Sequence, residues 1–555
     1  MNAEQFDISV AISLWQQLLG ADYVITDSQN LHLAASATLP TNSAVLAILR
    51  PAKDQVAATV AIAGEHGIPL YTISSGKNWG YGSRVPSSKS AVLLDLRRLN
   101  EISDYDPAHH LVTVGAGVTQ RQLADYLKAQ GGSDWMDCTG SHPDCSIVGN
   151  TVERGFGHTP YGEHANFIGA MEVLLADGRV VKTGFGRFPG AKACGMYKWG
   201  LGPAFDQLFL QSNLGIVLSM TIWLMPKPEK FVAFYLSAGS EEALEQIVAA
   251  LVPLKRSGVI TSLPHIANAY RVLGGMQQYP WPLFDSGATP YPMPGGVTEQ
   301  LKKQWQVGTW NVSGALYGTK EQVANARAQV RKALKRVKGA RLNFISDELL
   351  RFIEIFQKPI AFVTRMDLPG MLKVLRPVHD MMKGQPSSQF LTSSYWRMKQ
   401  APDGQFDMDK DGVGLIWSAF VAPADPHNAR ELMQIVDQVL PSYGFEPAVT
   451  LTLLNERCID AVVSISFDRN ASAPNGKSWD EQAVMCRDQL YRAMFEKGFY
   501  PYRTDVNKMA EMTRFGDATY LSVLADLKQA LDPKGILSPG RYIAESSKKF
   551  TETKQ

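Results

Sequence analysis

Apolar residues follow two different spacing patterns along the chain. Between residues 45 and 230, short apolar runs alternate with segments that have helical spacing. VLAILRP, IPLYTI and SAVLLDL predict strands, whereas DQVAATVAIAGEHG predicts a helix that ends at Gly67. TQRQLADYLKAQGG predicts another helix with Thr119 as its N-cap, and Asp177-Gly178 predicts the turn of a β-hairpin. This part indicates a domain of mixed strands and helices.

The pattern of apolar residues changes after Pro226 and Pro228, which we take as a domain boundary. FVAFYLS, TWNVSGALYG and LIWSAFVAP each predict a strand that is followed by a helix. This repetition is typical of an antiparallel sheet covered on one side by helices, so the predicted fold class is α+β. Residues 275–300 and 399–414, rich in turn formers, predict extended loops.

Bulk composition narrows the class of protein. A chain of 555 residues with 45% hydrophobic residues is too long for one core and predicts two globular domains. A net charge of +2 gives no electrostatic reason to expect nucleic acid as a partner. Five cysteines, with no Cys/His cluster, predict neither a disulfide framework nor a metal site. The acidic start of the chain does not resemble a signal peptide, and no apolar run is long enough for a membrane span, so we expect a cytoplasmic protein.

Two glycine-rich segments carry the first chemical signal, YTISSGKNWGYGS (71–83) and SIVGNTVERGFGHTPYGEH (146–164). Glycines after a strand let backbone N–H groups approach an anion such as a phosphate. Neither segment has the spacing of a Walker loop or of GxGxxG, and a plain turn is the alternative for either one alone. Two such loops together favour a large, elongated cofactor.

The motifs ISSGKNWGYGS, GNTVERGFGHTPYGEH, GMYKWGLGPAFDQLFLQSNLGIV, IWLMPKP, YRTD and DPKGILSPGR occur in this order up to residue 541. On these motifs the chain resembles the vanillyl-alcohol oxidase and p-cresol methylhydroxylase family of FAD enzymes, and more closely its cresol branch. The resemblance implies an FAD-binding domain (1–228), an antiparallel-sheet cap domain (229–499) and a C-terminal return to the FAD-binding domain (500–555). It also implies a homodimer.

The resemblance places the FAD pyrophosphate on Ser75, Gly76, Lys77 and Asn78. The whole set of implied cofactor-binding residues is Ser75, Gly76, Lys77, Asn78, Gly80, Ser141, Gly149, Asn150, Gly155, Tyr161, Gly162, Gly215, Val217, Tyr395, Arg503 and Arg541. Alignment on Trp396-Arg397 puts Ser394 where the cresol branch has its flavin-linking tyrosine, one residue before Tyr395. GLIWSAFVAP, where the oxidase branch has its histidine linker, contains no histidine. We therefore favour non-covalent FAD over a bond through Tyr395.

The implied substrate is a para-substituted phenol, bound as its phenolate. Hydride passes from its benzylic carbon to flavin N5 and leaves a quinone methide. The matching positions are Tyr81, Tyr502, Arg503 and Arg541, residue types that donate hydrogen bonds or positive charge to an oxyanion. Ordinary packed aromatics and ion-paired arginines are the alternative. His158 replaces a tyrosine of the family and is a candidate acid or base with a pKa near neutrality, or a structural residue.

Several positions depart from the family pattern. Ser141 stands where the oxidase branch has an aspartate, and Thr450 lies near an expected glutamate. Glu456 and Asp460 are nearby carboxylates, for which surface or sheet-edge charges are the simpler interpretation. Without a base for the attacking water, desaturation or slower hydroxylation gains weight beside alcohol oxidation.

Three hypotheses follow. The first is an FAD-dependent oxidoreductase for phenolic side chains, with oxygen or a separate cytochrome c-type protein as electron acceptor. The second is a tailoring enzyme for a larger aromatic scaffold, with a pocket reshaped by the two long loops. The third is a flavin-free binding protein that has lost the chemistry, which the retained glycines and phenolate residues disfavour.

Overall fold

The computed structural model describes residues 8–284, 291–364, 367–400, 404–473 and 476–544. The first part of the chain forms two main sheets. Strands of the mixed sheet run in the order β1-β2-β4-β3, and β2, β4 and β3 are parallel. The antiparallel sheet has the order β5-β6-β10-β8-β9, and β7 pairs with β11. The strands are β1 Val24–Ile25, β2 Ala44–Leu49, β3 Leu70–Ile73, β4 Ser90–Asp95, β5 Ile102–Asp106, β6 Leu111–Gly115, β7 Asp134–Trp135, β8 Ile168–Leu174, β9 Val180–Lys182, β10 Ile216–Trp223 and β11 Met225–Pro226.

Local signals account for the helices of this part. Thr119 closes a capping box at the start of the helix Gln120–Ala129 (α4), since its Oγ1 accepts from the Gln122 N–H and its own N–H donates to the Gln122 side chain. The hairpin between β8 and β9 is confirmed, as the Leu175 N–H donates to the Arg179 carbonyl at 2.8 Å. The helices are α1 Ser9–Leu19, α2 Ser28–Ala34, α3 Val56–Glu65, α4 Gln120–Ala129 and α5 Ile147–Val152, with α15 Val506–Met512 and α16 Ala518–Leu531 near the C-terminus.

The middle of the chain forms the cap sheet, which is antiparallel throughout. Its eight described strands have the order β15-β12-β14-β13-β17-β18-β16-β19. They are β12 Lys230–Ala238, β13 His265–Asn268, β14 Trp310–Gly318, β15 Arg341–Ser346, β16 Val413–Pro423, β17 Ala448–Leu453, β18 Cys458–Asp468 and β19 Tyr500–Arg503. The α+β class and the antiparallel cap are therefore confirmed.

Helices cover one face of the cap sheet, and the other face is left for the site. Four of them, α6 Ala243–Arg256, α9 Lys320–Leu334, α13 Pro426–Ser442 and α14 Trp479–Glu496, share one apolar core with the strands. The remaining helices are α7 Ala269–Met276, α8 Gly295–Trp305, α10 Asp347–Ile355, α11 Gln357–Thr364 and α12 Leu368–Met381. In the described ranges, no helix is long and apolar enough to cross a membrane.

The C-terminal return begins later than residue 500. The strand β19 still belongs to the cap sheet, where Arg503 pairs with Ala419 of β16. Beyond it the chain rejoins the first sheet, because the Leu70 N–H donates to the Ile536 carbonyl at 2.8 Å. The predicted loop 275–300 is shorter than expected, since α8 starts at Gly295. Residues 285–290 of that loop and 401–403 of the second loop lie outside the described residues.

Candidate active site

A cavity of about 700 Å³ lies between the loops of the first part and the open face of the cap sheet. Small residues and exposed backbone form one wall, from the segments 72–78, 139–141 and 211–217. Side chains of the cap strands β13, β17 and β18 form the opposite wall. The cavity therefore joins the two parts of the chain that the sequence pattern separates.

The two glycine-rich segments meet at this wall. The Ser75 hydroxyl accepts a hydrogen bond from the Ser146 N–H at 3.1 Å, which ties one loop to the other. Gly76 has φ 71°, a conformation that glycine adopts without a steric penalty. A Cβ on Gly149 would lie 3.2 Å from the Ser74 Oγ, so the absence of a side chain keeps the channel open. The wall suits a long cofactor held through backbone groups.

Most of the predicted cofactor-binding residues lie on the cavity wall. They are Ser75, Gly76, Lys77, Asn78, Ser141, Gly149, Asn150, Gly155, Gly215, Val217, Arg503 and Arg541. Gly80, Tyr161, Gly162 and Tyr395 do not line it. Tyr161 stacks on Phe167 with ring centroids 4.3 Å apart, and Gly80 packs beneath the indole of Trp417.

Tyr395 is turned away from the cavity. Its hydroxyl donates to the Asp411 carboxylate at 2.5 Å, and its ring is buried in an apolar cluster that includes Trp79 and Leu391. Ser394 lies on the wall instead, as the ungapped alignment predicts. The hydrogen bond to Asp411 holds the Tyr395 hydroxyl away from the cavity that Ser394 lines.

A buried carboxylate connects the two predicted arginines, a contact that the sequence reasoning missed. Glu153 pairs with Arg541 and lies 3.2 Å from the Arg503 Nε. Burial opposes its ionisation, but the two guanidinium groups hold the pKa of Glu153 below its usual value. Two positive charges against one negative charge leave one net positive charge at this end of the cavity. The only sequence signal for Glu153 is its place inside the motif NTVERGFG.

Tyr81 and Tyr502 adjoin these arginines. The Arg503 guanidinium lies 4.2 Å from the centre of the Tyr81 ring, and its Nη2 donates to the Asn78 Oδ1 at 2.5 Å. Burial raises the pKa of both tyrosines, so each keeps its hydroxyl proton near neutral pH. The structure thus brings Tyr81, Tyr502, Arg503 and Arg541 together, as the resemblance implies.

His158 lies on the cavity wall, but its predicted pKa near neutrality is wrong. Its ring stacks on that of His265 with centroids 3.9 Å apart. Burial, followed by the neighbouring His265 and His164, lowers the pKa of His158 well below its usual value. Burial also lowers the pKa of His265 to about 4. Both rings are therefore neutral near pH 7, and the stacked pair provides a flat, uncharged surface rather than an acid.

The two cap carboxylates have different positions. Glu456 pairs with the adjacent, exposed Arg457, as the surface interpretation predicts. Asp460 contradicts that interpretation, because it is fully buried on β18 and neither carboxylate oxygen has a hydrogen-bond partner among the described residues. Burial raises the pKa of Asp460 well above its usual value. The side chain lies near Tyr81 and Tyr502, and its burial favours the protonated, neutral form, although it does not line the cavity.

These features define an FAD-linked oxidoreductase. Residues 45–184 match the family described as FAD binding domain, and residues 506–542 match FAD linked oxidases, C-terminal domain. The cavity wall fits FAD, because it offers small residues and backbone along its length and one side chain at Gly149 would narrow it.

Similar proteins identify the family. The chain is 36% identical to 1'-carboxy-chondrochloren decarboxylase of Chondromyces crocatus, with 96% of each chain covered. It is 30% identical to the 4-cresol dehydrogenase [hydroxylating] flavoprotein subunit of Pseudomonas putida, over 97% of this chain and 96% of that protein. The crystal structure of p-cresol methylhydroxylase with substrate bound matches 99% of each chain with a TM-score of 0.86 and 28% identity. The chain belongs to the vanillyl-alcohol oxidase and p-cresol methylhydroxylase family of FAD enzymes.

Proposed function

We propose that this enzyme oxidises the benzylic carbon of a para-substituted phenol. The observation that carries the proposal is the cluster of two tyrosine hydroxyls and one net positive charge at one end of the cavity. An anionic phenolate oxygen is the group that such donors favour. FAD, when bound, supplies the hydride acceptor.

The chain's own residues have separate roles in this reaction. Tyr81 and Tyr502 donate to the substrate oxygen, because their raised pKa values keep them protonated. Arg503 and Arg541 favour the ionised form of the substrate, and Glu153 holds both guanidinium groups in place. Loss of the phenolic proton pushes electron density toward the ring and eases departure of a hydride from the benzylic carbon, leaving a quinone methide.

Anaerobic mixing with 4-ethylphenol or 4-hydroxybenzyl alcohol tests the proposal through bleaching of the yellow flavin. Tyr502→Phe should slow reduction by about 100-fold or more, as loss of an oxyanion donor does elsewhere. Tyr500→Phe, on the exposed neighbour in the same strand, is the matched control and should leave the rate unchanged. Equal rates for wild type and Tyr502→Phe would remove this cluster from substrate binding.

A tailoring reaction on a larger phenolic scaffold is the second candidate. The cavity continues beyond the phenolate end to Trp305 and Val307 near α8 and to Met371 and Leu375 on α12. The relative from Chondromyces crocatus is named a decarboxylase of a 1'-carboxy compound, which supports a substrate more elaborate than cresol. Reduction by bulky phenols but not by 4-ethylphenol would favour this candidate.

The electron acceptor, the FAD linkage and the assembly are also proposals. To distinguish the two acceptors, oxygen uptake and cytochrome c reduction are each measured with the substrate-reduced enzyme. Acid precipitation should leave the flavin in the supernatant, since Tyr395 is engaged by Asp411. The homodimer rests on the family resemblance, and sedimentation tests it. The cytoplasmic location rests on the sequence, and cell fractionation tests it.

A further inference from the structure

Arg271 is a cation in the cavity that the phenol chemistry does not use. It lies in the first turn of α7, where its own N–H is capped by Asn268. Its Nη1 donates to the Ser393 hydroxyl at 2.7 Å, and its guanidinium lies 5.1 Å from the centre of the Trp417 ring. It lines the cavity together with Val272, so the exposed part of its side chain faces that space.

The charge of Arg271 is not compensated. Arg503 and Arg541 share Glu153, but Arg271 has no carboxylate within ion-pair distance in the part of the chain that the structure describes. Burial alone lowers the pKa of Arg271 to about 10, so it is still charged near pH 7. A desolvated charge without a partner costs free energy, which a bound anion would recover.

The position of Arg271 is separate from the phenolate end. The indole of Trp417 contacts both regions, since it packs on Gly80, next to Tyr81, and the centre of its ring lies 5.1 Å from the Arg271 guanidinium. The backbone N–H of Trp417 also donates to the Gly80 carbonyl at 3.1 Å. The positive charge of Arg271 also contributes to the low pKa of His265, after burial. Arg271 therefore faces the part of the cavity beside the cap strands, where the side chain of a phenolic substrate would extend.

We propose that Arg271 binds a carboxylate carried on the side chain of the phenolic substrate. The proposal rests on the proposed function and names its substrate class, a 4-hydroxyphenyl alkanoic acid or a larger phenol with such an acid. The Nε and Nη2 groups of Arg271 have no acceptor among the described residues, and this pair of donors matches a planar carboxylate. A phosphate dianion is less suited, since Arg271 is one isolated guanidinium.

The test compares two substrates on the holoenzyme. Anaerobic flavin reduction is measured with 3-(4-hydroxyphenyl)propionate and with 4-propylphenol, which lacks the charge. Arg271→Met should raise the dissociation constant of the acid by about 10- to 100-fold, the range of a charge-assisted hydrogen bond, and leave 4-propylphenol within about twofold. Arg271→Lys should give an intermediate loss. Arg327→Met, at an exposed arginine stacked on Phe344, is the matched control and should change the dissociation constant of neither substrate.

Two further measurements separate the possible failures. FAD content and thermal melting should be the same for wild type and Arg271→Met. A variant that loses FAD, or that weakens both substrates equally, would overturn the carboxylate site and assign Arg271 to the cofactor or the fold. Binding of 3-phenylpropionate, followed by the flavin spectrum, should also depend on Arg271. If 3-phenylpropionate binds in an Arg271-dependent way but no phenol reduces the flavin, the proposed oxidation is rejected and the anion site is kept. If neither 3-phenylpropionate nor 3-(4-hydroxyphenyl)propionate binds in an Arg271-dependent way, the anion site is rejected.

Discussion

At the scale of single residues, charge balance decides which groups of the cavity can bind an anion. Glu153 is buried between Arg503 and Arg541, while Tyr542 donates a further hydrogen bond to its carboxylate at 2.7 Å. The two guanidinium groups keep their charge because the carboxylate offsets the cost of burying them. One positive charge then remains uncompensated, and we expect it to favour an anion in the cavity. Removing Glu153 would therefore lower the stability of the protein and change the affinity of the site for an anion.

Glu153→Gln should therefore destabilise the protein strongly. Loss of one partner leaves buried charges uncompensated, which costs about 3–5 kcal/mol in the free energy of unfolding. Urea unfolding of the purified variant measures the change. Glu456→Gln serves as the control, since that side chain pairs with the adjacent surface residue Arg457 and its loss should leave stability unchanged. Equal midpoints for both variants would contradict the proposed role of Glu153.

Asp460 predicts a specific dependence of stability on pH. Its folded-state pKa is raised by burial above the usual value near 4, so the folded protein holds the proton while the unfolded chain releases it. The free energy of unfolding should therefore fall as pH rises from the unfolded-state pKa to the folded-state pKa of Asp460, by up to about 1.4 kcal/mol per pH unit. Asp460→Asn removes the effect, so the free energy of unfolding of this variant relative to wild type should increase as pH rises above about 5, until the folded-state carboxyl itself ionises.

The free energy of unfolding, measured for both proteins across that range, tests this expectation. Asp177→Asn is the comparison, because the pKa of Asp177 is lowered and the residue lies in an exposed hairpin. Its difference from wild type should stay constant over the same range. A constant difference for Asp460→Asn would mean that the carboxyl ionises in the folded protein.

At the scale of elements, the loop after β3 depends on a strand far away in the sequence. Gly80 has φ 79°, and a Cβ there would lie 2.0 Å from the Cδ1 of Trp417 on β16. The Gly80 N–H also donates to the Thr38 hydroxyl at 2.9 Å. The predicted role of Gly80 in cofactor binding has no support in this geometry; the glycine instead allows the loop and the cap strand to pack closely.

Gly80→Ala should combine two penalties. The left-handed conformation costs about 1–2 kcal/mol for a residue with a Cβ, and overpacking against Trp417 adds about 1–3 kcal/mol. Gly67→Ala is the matched control, because Gly67 has φ 61° and nothing within 4 Å of the added atom. Thermal or urea unfolding should show a clearly larger loss for Gly80→Ala. Equal losses would mean that the indole moves aside freely.

Sequence patterns predicted the elements whose signal is local and missed those that depend on partners. The helix α4 begins at its Thr119 cap and the strand β16 follows a continuous apolar run, so both could be read directly. The strands β13 and β19 have four residues each, HIAN and YPYR, too few to show an alternating pattern. Pairing with neighbouring cap strands, which single-sequence periodicity does not contain, fixes them as strands.

At the scale of the whole molecule, the cavity joins walls that are distant in the chain. Motif resemblance predicted the residues on these walls from Ser75 to Arg541, because their types and order match the family. It did not predict Glu153 or Arg271, whose importance lies in the presence or absence of a partner in space. It also misjudged Asp460, since burial cannot be read from a charged residue in isolation.

Removal of FAD should loosen both parts of the molecule together. A ligand present at about 1,000 times its dissociation constant stabilises the folded state by about 4 kcal/mol, and FAD would contact loops of the first part and residues of the cap. Calorimetry of the apoprotein and of the FAD-reconstituted protein should show one transition each, at a lower temperature without FAD. A melting temperature that does not respond to FAD would contradict this arrangement.

The strand β19 determines how this protein can be recombined with its relatives. It completes the cap sheet beside β16 and at the same time carries Tyr502 and Arg503 to the end of the cavity where Glu153 lies. A chimaera that exchanges the cap should therefore be cut after residue 228 and after Arg503, so that the edge strand travels with its sheet. A cut at residue 499 would separate the strand from the sheet in which it evolved. We therefore expect substrate selectivity to be transferred together with the cap sheet when β19 is included in the exchange.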